Sequence, residues 1–328
     1  MKSWKAEAFG KIDEVLKLVD VPELAAPPPG CMTVNVLATG VGLPDVLMTM
    51  GKYPLVTSPP VSPGQEVVGI VTAVADGVPY AAGDRVLATS LFAHNSGGFS
   101  QQCYVATELA SKVPAGMPDE QAAGFIIPYQ TAHCALVQRC QMQAGETLLV
   151  LGASGSSGSA AIQLGKALGA TVIAVAGGAE KSAFCASIGA DHVVDYRNGP
   201  IAEQVKSQVG SVDIIFDPVG GAVYQDAVQA IGLHGRVALV GFGSGEWAQL
   251  DPTDMVSRSY SALGVFLMRS SAQEIAGAYA DLFALYEQGR IRVPVDKVYP
   301  FDEVPLALKQ VAGSKLLGKH IVRVAENG

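Results

Sequence analysis

A glycine-rich turn joins an apolar run to a helical pattern near the middle of the chain. The stretch GASGSSG, residues 152–158, follows LLVL and precedes SAAIQLGKALG. Gly155 and Gly158 stand where the second and third glycines of a G-x-G-x-x-G pattern fall, and Ala153 takes the first place. Glycines at these places let the backbone approach a phosphate and let the helix lie close to the strand. The N–H groups at the start of the helix would then bind an anion.

A strand, a turn, a helix and a second strand follow one another within about 30 residues, which is the context in which such a turn binds a dinucleotide. An ordinary strand-to-helix turn is the alternative. We predict a dinucleotide site with nicotinamide as its reactive part. The turn contributes Ala153, Ser154, Gly155, Ser156, Ser157 and Gly158.

The end of the second strand lacks the acid with which NAD-preferring versions bind the ribose hydroxyls. Residues 176–178 read AGG, ending at Gly178, and Lys181 follows. An acid there would repel a 2′-phosphate, whereas a lysine attracts one. Tyr196, at the end of the third strand, adds a hydroxyl donor. The sequence therefore favours NADPH, with a solvated Lys181 beside Glu180 as the alternative.

The elements around this turn form two parts. From about residue 118, strand and helix patterns alternate, with strands at TLLVL, TVIAVA, HVVDY, VDIIFDPV, RVALVG and SALGVF. This alternation predicts an α/β fold with a doubly wound, parallel, six-stranded Rossmann sheet. Before that point, short β-like runs such as CMTVNVLATGV and EVVGIVTAVADGV are separated by Pro and Gly, which predicts barrel-like packing. The stretch 119–140 has a helical pattern.

Length and composition agree with a two-domain enzyme. The 328 residues exceed what one core usually holds, and 49% hydrophobic residues with 37 glycines are typical of compact α/β proteins. A net charge of −8 disfavours a nucleic-acid partner. The five cysteines form no CxxC pair, which indicates a reducing compartment. Since no apolar run is long enough to span a bilayer, we expect a cytoplasmic protein without membrane contact.

Ordered motifs along the whole chain carry a family resemblance. They include GVGLPDVLMTMGKYP, SPGQEVVGIV, GDRVLA, GGFSQQCYV, TAHCAL, FDPVGG and GRVALVGFG, besides the glycine turn. The chain resembles the medium-chain dehydrogenase/reductase superfamily, in its zinc-free, zeta-crystallin-like NADPH:quinone oxidoreductase branch. The resemblance implies a GroES-like β-barrel substrate domain over 1–117 and 267–328, and a Rossmann NADP-binding domain over 118–266. It also implies a cleft between them for the nicotinamide, and a homodimer paired through SALGVFLM.

The resemblance also implies roles for single residues. Tyr53 matches a tyrosine that resembles the proton donor of enoyl reductases, and a packed aromatic is the alternative. Asp45 keeps the family pattern on the substrate side, or caps the helix beginning PDVLMTM. Gly42 replaces a family Asn near the nicotinamide, which leaves the substrate preference open. Further cofactor contacts are implied at Tyr129, Thr131, Gly220, Gly241, Phe242, Gly243, Val265, Phe266, Leu267 and Lys319, the last with a solvated lysine as its alternative.

Zinc-dependent relatives carry a Cys in the segment matching TGVGLPD and a His in the segment matching PGQE. This chain has no Cys in the first segment and Gln65 in the second, so the resemblance implies no metal site. Without a Lewis acid, alcohol oxidation by the zinc route is disfavoured. Hydride transfer from NADPH to a small-molecule quinone or α,β-unsaturated carbonyl is the favoured chemistry. An enoyl-thioester reductase and an NADPH-binding structural or sensor protein with negligible turnover stay open as alternatives.

Overall fold

The computed structural model describes residues 1–313 and 317–325, and the chain divides into two compact units. The first unit comprises Met1–Ile126, Ala272–Ala276 and the described part of Val293–Gly328, and the second comprises Ile127–Ser271 and Gly277–Arg292. The domain boundaries expected from the sequence stay a prediction. The division in the structure differs from them at residues 118–126, which belong to the first unit because the helix that begins at Asp119 packs on its barrel strands. It differs also at residues 267–271 and 277–292, which belong to the second unit.

The first unit is built on a closed antiparallel barrel. Four strands pair in sequence and the last returns to the first, while two C-terminal strands, parallel to each other, extend the sheet beside it. A separate pair at the N-terminus is antiparallel. The strands are β1 (Lys2–Ala6), β2 (Leu16–Asp20), β3 (Cys31–Val41), β4 (Glu66–Val74), β5 (Arg85–Ser90), β6 (Gln102–Lys112), β13 (Val295–Pro300) and β14 (Lys319–Arg323), and the barrel consists of β3 to β6.

The predicted barrel is confirmed. The N-terminal strand β1, which pairs with β2 outside the barrel, is not among the predicted elements. Met32, Val34 and Val67 are fully buried in the barrel core. Lysines conceal the strand character of β1, whose Trp4 and Ala6 nonetheless pack into the same core. The helices of this unit are α1 (Ile12–Val15), α2 (Leu43–Thr49), α3 (Asp119–Ala123) and α11 (Val304–Ala312).

The second unit is built on an all-parallel sheet of six strands. Their spatial order is β12 (Ser261–Gly264), β11 (Ile231–Leu239), β10 (Val212–Asp217), β7 (Thr147–Val150), β8 (Thr171–Ala176) and β9 (His192–Asp195). The chain winds outward from β7 in one direction and from β10 in the other, which is the Rossmann order. Leu148, Leu149 and Val150 are all fully buried, as expected for a strand covered on both faces. All six predicted strands are confirmed.

Helices connect and cover these strands. They are α4 (Ile126–His133), α5 (Ser156–Ala167), α6 (Ala179–Ser187), α7 (Ile201–Val209), α8 (Gly221–Ala227), α9 (Pro252–Arg258) and α10 (Ala272–Glu287), and a π-helical turn over Cys134–Arg139 continues α4. The predicted helical stretch 119–140 is thus divided at Gly124, where α3 ends. No helix in the described ranges is long and apolar enough to cross a membrane.

A buried carboxylate fastens α2 to the start of β4. Oδ2 of Asp45, the third residue of α2, accepts a hydrogen bond from the N–H of Gly42 at 2.9 Å. Its Oδ1 accepts from the N–H groups of Gly64 at 2.8 Å and Gln65 at 3.1 Å. Asp45 thus accepts an N–H group at the start of α2, as the capping interpretation expects, but from the third helical position, because Gly42 is the N-cap. Burial raises the pKa of Asp45 to about 6, against the opposite effect of these backbone groups.

We predict that Asp45 makes the stability of the fold depend on pH between 4 and 6. Its pKa of about 6 in the folded chain lies above the ordinary 3.8, so the native state binds the proton more tightly than the unfolded state. Stability is therefore lost as pH rises through this window, by about 3 kcal/mol in all. Urea denaturation of the wild type and of Asp45→Asn should give a difference in unfolding free energy that shrinks by about 2 kcal/mol from pH 4 to pH 6, and by the rest outside this window.

The matched control is Asp76→Asn, which removes an exposed carboxylate from the same unit. Its stability should follow the wild-type pH profile. If the difference between the wild type and Asp45→Asn is the same at all pH values, the Asp45 carboxyl does not titrate in this window.

Candidate functional site

The turn after β7 brings helix α5 against the strand. Gly152 has a φ of +58°, a left-handed conformation that glycine adopts without strain. A Cβ at Gly158 would overlap the carbonyl oxygen of Gly152 and lie 2.7 Å from the Cα of Ala153. The close approach predicted for Gly158 is therefore present. The tight turn itself depends on Gly152, which sequence analysis did not single out because it precedes the motif.

The backbone at Gly155 has room for a bound group. Gly155 directly precedes α5, and a Cβ there would meet only the carbonyl oxygen of Gly152, at 3.5 Å. Ser154 is buried, whereas Ser156 and Ser157 are partly exposed. The first turn of a helix carries N–H groups and a partial positive charge. This cradle fits a pyrophosphate, and the contacts of residues 153–158 with one stay a prediction.

Two side chains that follow β9 cover the glycines after β8. A Cβ at Gly177 would overlap the hydroxyl of Tyr196. Nη1 of Arg197 would be 2.5 Å from a Cβ at Gly178, which has a φ of +91°. The structure thus brings the predicted residues Tyr196 and Gly178 to one place. It adds Arg197, which sequence analysis missed although it directly follows Tyr196.

The end of β8 has no acidic residue of its own, but a carboxylate from the neighbouring strand β9 lies beside it. Oδ2 of Asp195, the last residue of β9, accepts a hydrogen bond from the N–H of Gly178 at 3.0 Å. Its Oδ1 accepts from the N–H of Arg197 at 2.9 Å. Lys181 lies partly exposed in the first turn of α6, directly after these glycines. The end of β8 therefore combines one backbone-bound acid with two cationic side chains.

The residues after β10, β11 and β12 lie at the same edge, because parallel strands end on one side of a sheet. Oδ1 of Asp217, the last residue of β10, accepts from the N–H groups of Val219 and Gly220 at 2.9 and 2.8 Å. The ring of Phe242 stacks on Trp247 with centroids 4.6 Å apart. The predicted cofactor residues that follow strand ends in this unit are Gly178, Lys181, Tyr196, Gly220, Gly241, Phe242, Gly243, Val265, Phe266 and Leu267.

Tyr129 and Thr131 lie on α4 and are both buried. The hydroxyl of Tyr129 donates to the carbonyl oxygen of Arg292 at 2.5 Å and accepts from Nε2 of Gln163 at 3.1 Å. Burial is the main cause of the raised pKa of Tyr129. Tyr129 therefore has a clear structural role in the second unit, and a cofactor contact of either residue stays a prediction.

In the first unit, Gln65 holds the hydroxyl of Tyr53. Nε2 of Gln65 donates a hydrogen bond to the Tyr53 oxygen at 2.8 Å. The Tyr53 ring packs on the barrel core, with its centroid 6.0 Å from that of Phe92. Burial raises the pKa of Tyr53, and the hydrogen bond from Gln65 acts in the opposite direction. Because the hydroxyl accepts from Gln65, its own proton remains available to a second acceptor.

A buried ion pair lies beside this group. Nζ of Lys319 on β14 contacts Oε1 of Glu66 on β4, and the two side chains are only 3% and 2% exposed. The solvated interpretation of Lys319 is wrong, because β14 pairs with β3 and the lysine is enclosed by the unit. A Cβ at Gly42, whose backbone is extended, would lie 3.9 Å from Nζ of Lys319. The same Cβ would lie 3.2 Å from Cδ of Pro44 and 3.6 Å from Oδ2 of Asp45, so a larger residue at this position would meet all three side chains.

The Gln65 amide, in the segment for which the resemblance implies a ligating His in zinc-dependent relatives, is engaged with Tyr53. The carboxylate of Asp45 next to it is engaged with three backbone N–H groups. Within residues 1–313 and 317–325, no group of three or more His, Cys, Asp or Glu side chains is placed to hold a metal ion.

Comparisons with known proteins agree with both units. Residues 28–132 match the family model of the alcohol dehydrogenase GroES-like domain, and residues 158–284 match that of the zinc-binding dehydrogenases. The human quinone oxidoreductase is 31% identical over 326 residues, which cover 98% of this chain and 97% of that protein. The human synaptic vesicle membrane protein VAT-1 homolog is 30% identical, with coverages of 95% and 83%.

A solved structure shows the same architecture over the full length. The quinone oxidoreductase of Escherichia coli, complexed with NADPH, superposes with a TM-score of 0.91 at 26% identity and covers 99% of this chain and 100% of that one. This coverage includes both the barrel and the six-stranded parallel sheet. The chain therefore belongs to the medium-chain dehydrogenase/reductase superfamily, in its quinone oxidoreductase branch.

Proposed function

We propose that this protein transfers hydride from NADPH to a quinone or an α,β-unsaturated carbonyl, without zinc. The glycine cradle at the start of α5 supports a dinucleotide, and Lys181 and Arg197 at the end of β8 support the form with a 2′-phosphate. The relatives named quinone oxidoreductase, one of them solved with NADPH, support the reaction class.

The hydrogen bond from Gln65 to Tyr53 is the observation that carries the proposal. In the zinc route a metal stabilises the oxygen of the substrate. Here the segment of the expected His ligand supplies an amide instead, and that amide orients a tyrosine. A hydrogen-bond donor fixed in this way stabilises negative charge as it develops on an acceptor oxygen. Tyr53 thus takes over the task of a Lewis acid.

The residues of the second unit hold the cofactor, which supplies a hydride when bound. The first turn of α5 binds the pyrophosphate, and the side chains after β8 and β9 bind the adenosine end. Once the acceptor has received the hydride, Tyr53 donates its proton to the resulting enolate or quinolate. The Tyr53 hydroxyl carries this proton near neutral pH, because its pKa is raised by burial from an ordinary value of 10 that already lies well above neutrality.

We predict that the purified protein oxidises NADPH with quinones, enals or enones, and that the activity persists in chelator. The reason is that charge stabilisation depends on Tyr53 rather than on a metal. NADPH absorbance should be followed with a panel that also contains enoyl-CoA thioesters, alongside elemental analysis of the same sample. One zinc per chain, with activity lost in chelator, contradicts the zinc-free mechanism. Turnover confined to enoyl-CoA would identify the enoyl-thioester reductase, and no turnover would indicate a binding protein.

We predict that Tyr53→Phe lowers kcat for enones by about 10², because only a proton donor is removed. The decrease in kcat should be smaller with quinones, since the reduced quinone is a weaker base and water can protonate it. NADPH affinity and the unfolding midpoint should stay near wild type. Tyr80→Phe is the matched control, since it removes another partly buried hydroxyl of the first unit, one bonded to the carbonyl oxygen of Ala110. Equal small losses for enones and quinones would show that Tyr53 only packs.

We predict that NADPH binds more tightly than NADH and that Lys181→Ala narrows this gap. A charge-assisted hydrogen bond contributes about 1.5–3 kcal/mol to binding. The variant should therefore bind NADPH about ten-fold or more weakly than the wild type, and its affinity for NADH should change little. Titration calorimetry with both cofactors measures this. Lys206→Ala, which removes an exposed lysine of α7, controls for net charge. Equal weakening of both cofactors would show that Lys181 does not contact the phosphate.

A further inference from the structure

Two aromatic side chains stack on each other after the end of β11. The ring of Phe242 and the indole of Trp247 have centroids 4.6 Å apart, and their planes make an angle of 37°. Phe242 is partly exposed, and Trp247 is 54% exposed. The other tryptophan of the chain, Trp4, is buried in the barrel core and donates its Nε1–H to the carbonyl oxygen of Phe301 at 2.8 Å. Trp247 therefore differs from Trp4 in presenting about half of its surface to solvent.

Backbone hydrogen bonds hold the loop that carries this pair, residues 242–247, against the turn after β10. The N–H groups of Gly243 and Ser244 donate to the carbonyl oxygens of Pro218 and Val219, each at 2.9 Å. A loop fixed in this way loses little conformational entropy when a ligand binds to its side chains.

Two glycines at the start of α8 let the loop lie directly on this turn. Gly220 and Gly221 have φ values of +69° and +54°. A Cβ at Gly220 would overlap the carbonyl oxygen of Glu246 and lie 3.2 Å from the carbonyl carbon of Trp247. A Cβ at Gly221 would lie 2.8 Å from Oγ of Ser244. The backbone of Trp247 therefore packs against the turn after β10, while its side chain remains half exposed.

The pair follows the carboxyl end of a strand, which is the edge where open α/β sheets bind their ligands. Each half of a Rossmann sheet binds one mononucleotide. With NADPH bound as proposed, the half with β7 and β8 takes the adenosine end, so the half with β10 and β11 takes the nicotinamide. The acceptor has to lie against the nicotinamide to receive a hydride. Phe242 and Trp247 therefore belong to the half of the sheet at which the acceptor binds.

We propose that Phe242 and Trp247 form a stacking platform for an aromatic ring of the acceptor, so that this chain reduces acceptors with a fused or conjugated ring in preference to aliphatic ones. The inference rests on the proposed function and narrows its acceptor class. An indole stacks on planar, electron-poor rings such as those of naphthoquinones and aryl enals, whereas an aliphatic enal offers no ring. Glu246, an exposed acid beside Trp247, disfavours an acceptor that carries phosphate groups, such as a CoA thioester.

The test uses pairs of acceptors that differ by one benzene ring, which are 1,4-naphthoquinone with 1,4-benzoquinone and cinnamaldehyde with crotonaldehyde. Each variant is compared with the wild type on the same acceptor, so differences in intrinsic reactivity cancel. Trp247→Ala should lower kcat/KM by about five- to ten-fold with naphthoquinone and cinnamaldehyde, mainly by raising KM, and by less than about two-fold with the other two. Trp247→Phe should recover part of the loss, since it keeps a ring. Leu250→Ala is the matched control, because it removes another exposed apolar side chain of the same loop, and kcat/KM should stay unchanged with every acceptor.

Tryptophan fluorescence gives a readout besides turnover. In Trp4→Phe, Trp247 is the sole remaining tryptophan. With NADP⁺ in place of NADPH no hydride is transferred, and naphthoquinone should then quench the Trp247 emission to a saturating level. Benzoquinone should quench only in proportion to its concentration, as a collisional quencher does. Should Trp4→Phe not fold, the difference in emission between the wild type and Trp247→Phe reports the same signal.

The outcomes separate this proposal from the proposed function. If the wild type reduces these acceptors and Trp247→Ala changes kcat/KM equally for both members of each pair, the platform is overturned while the function stands. Quenching by naphthoquinone that does not saturate likewise overturns it. A smaller mass of Trp247→Ala in light scattering, with unchanged selectivity, would show that a second copy of the chain covers Trp247, and also overturns the proposal. If the wild type reduces none of the acceptors, the proposed function fails and the platform fails with it.

Discussion

Hydrogen bonds from backbone N–H groups to carboxylates hold the loops on which both parts of the candidate site depend. Asp45 binds three such groups in the first unit. Asp195 and Asp217 bind two each at the ends of β9 and β10 in the second unit. Each carboxylate accepts hydrogen bonds from backbone N–H groups that have no acceptor within a helix or a strand. The side chains with chemistry, Tyr53 and Arg197 among them, lie on or next to these loops.

Glycine residues also shape the candidate site, because the missing Cβ lets neighbouring groups come close to the backbone. At Gly158 it brings a helix against the preceding turn, and at Gly178 it admits a guanidinium. At Gly42 the backbone is extended, and an added Cβ would lie 3.2 Å from Cδ of the Pro44 side chain, so the restriction there comes from one neighbouring ring and not from backbone strain. The same residue type thus has three different roles, and only the contacts distinguish them.

The sequence predicts the sheet well, because each Rossmann strand is a short apolar run bounded by turn residues. It predicts β1 poorly, because lysines dilute the pattern around Trp4. The barrel and the glycine turn follow from local spacing, whereas three contacts of the site do not. Asp195 with Gly178, Gln65 with Tyr53, and Lys319 with Glu66 each join segments that are distant along the chain or on different strands. Such contacts depend on tertiary structure, which no single motif encodes.

The Lys319–Glu66 pair shows why a solvated lysine and a buried one cannot be distinguished by sequence. Burying two charges carries a large desolvation cost, which is offset only when they meet at close range. The motif GKHIV gives no sign of a carboxylate partner, since Glu66 lies on β4, and the two strands flank β3 in the sheet.

The end of β8 leads to a more general conclusion about acids and cofactor choice. An acid that binds ribose hydroxyls needs free lone pairs directed at the ligand. Asp195 lies at the same strand end, but hydrogen bonds from two backbone N–H groups engage both of its oxygens. Asp195 therefore shapes the loop after β9 and fixes the backbone of Arg197 relative to Gly178. An acid at this strand end thus has a structural role in the loop, which its presence in the sequence does not reveal.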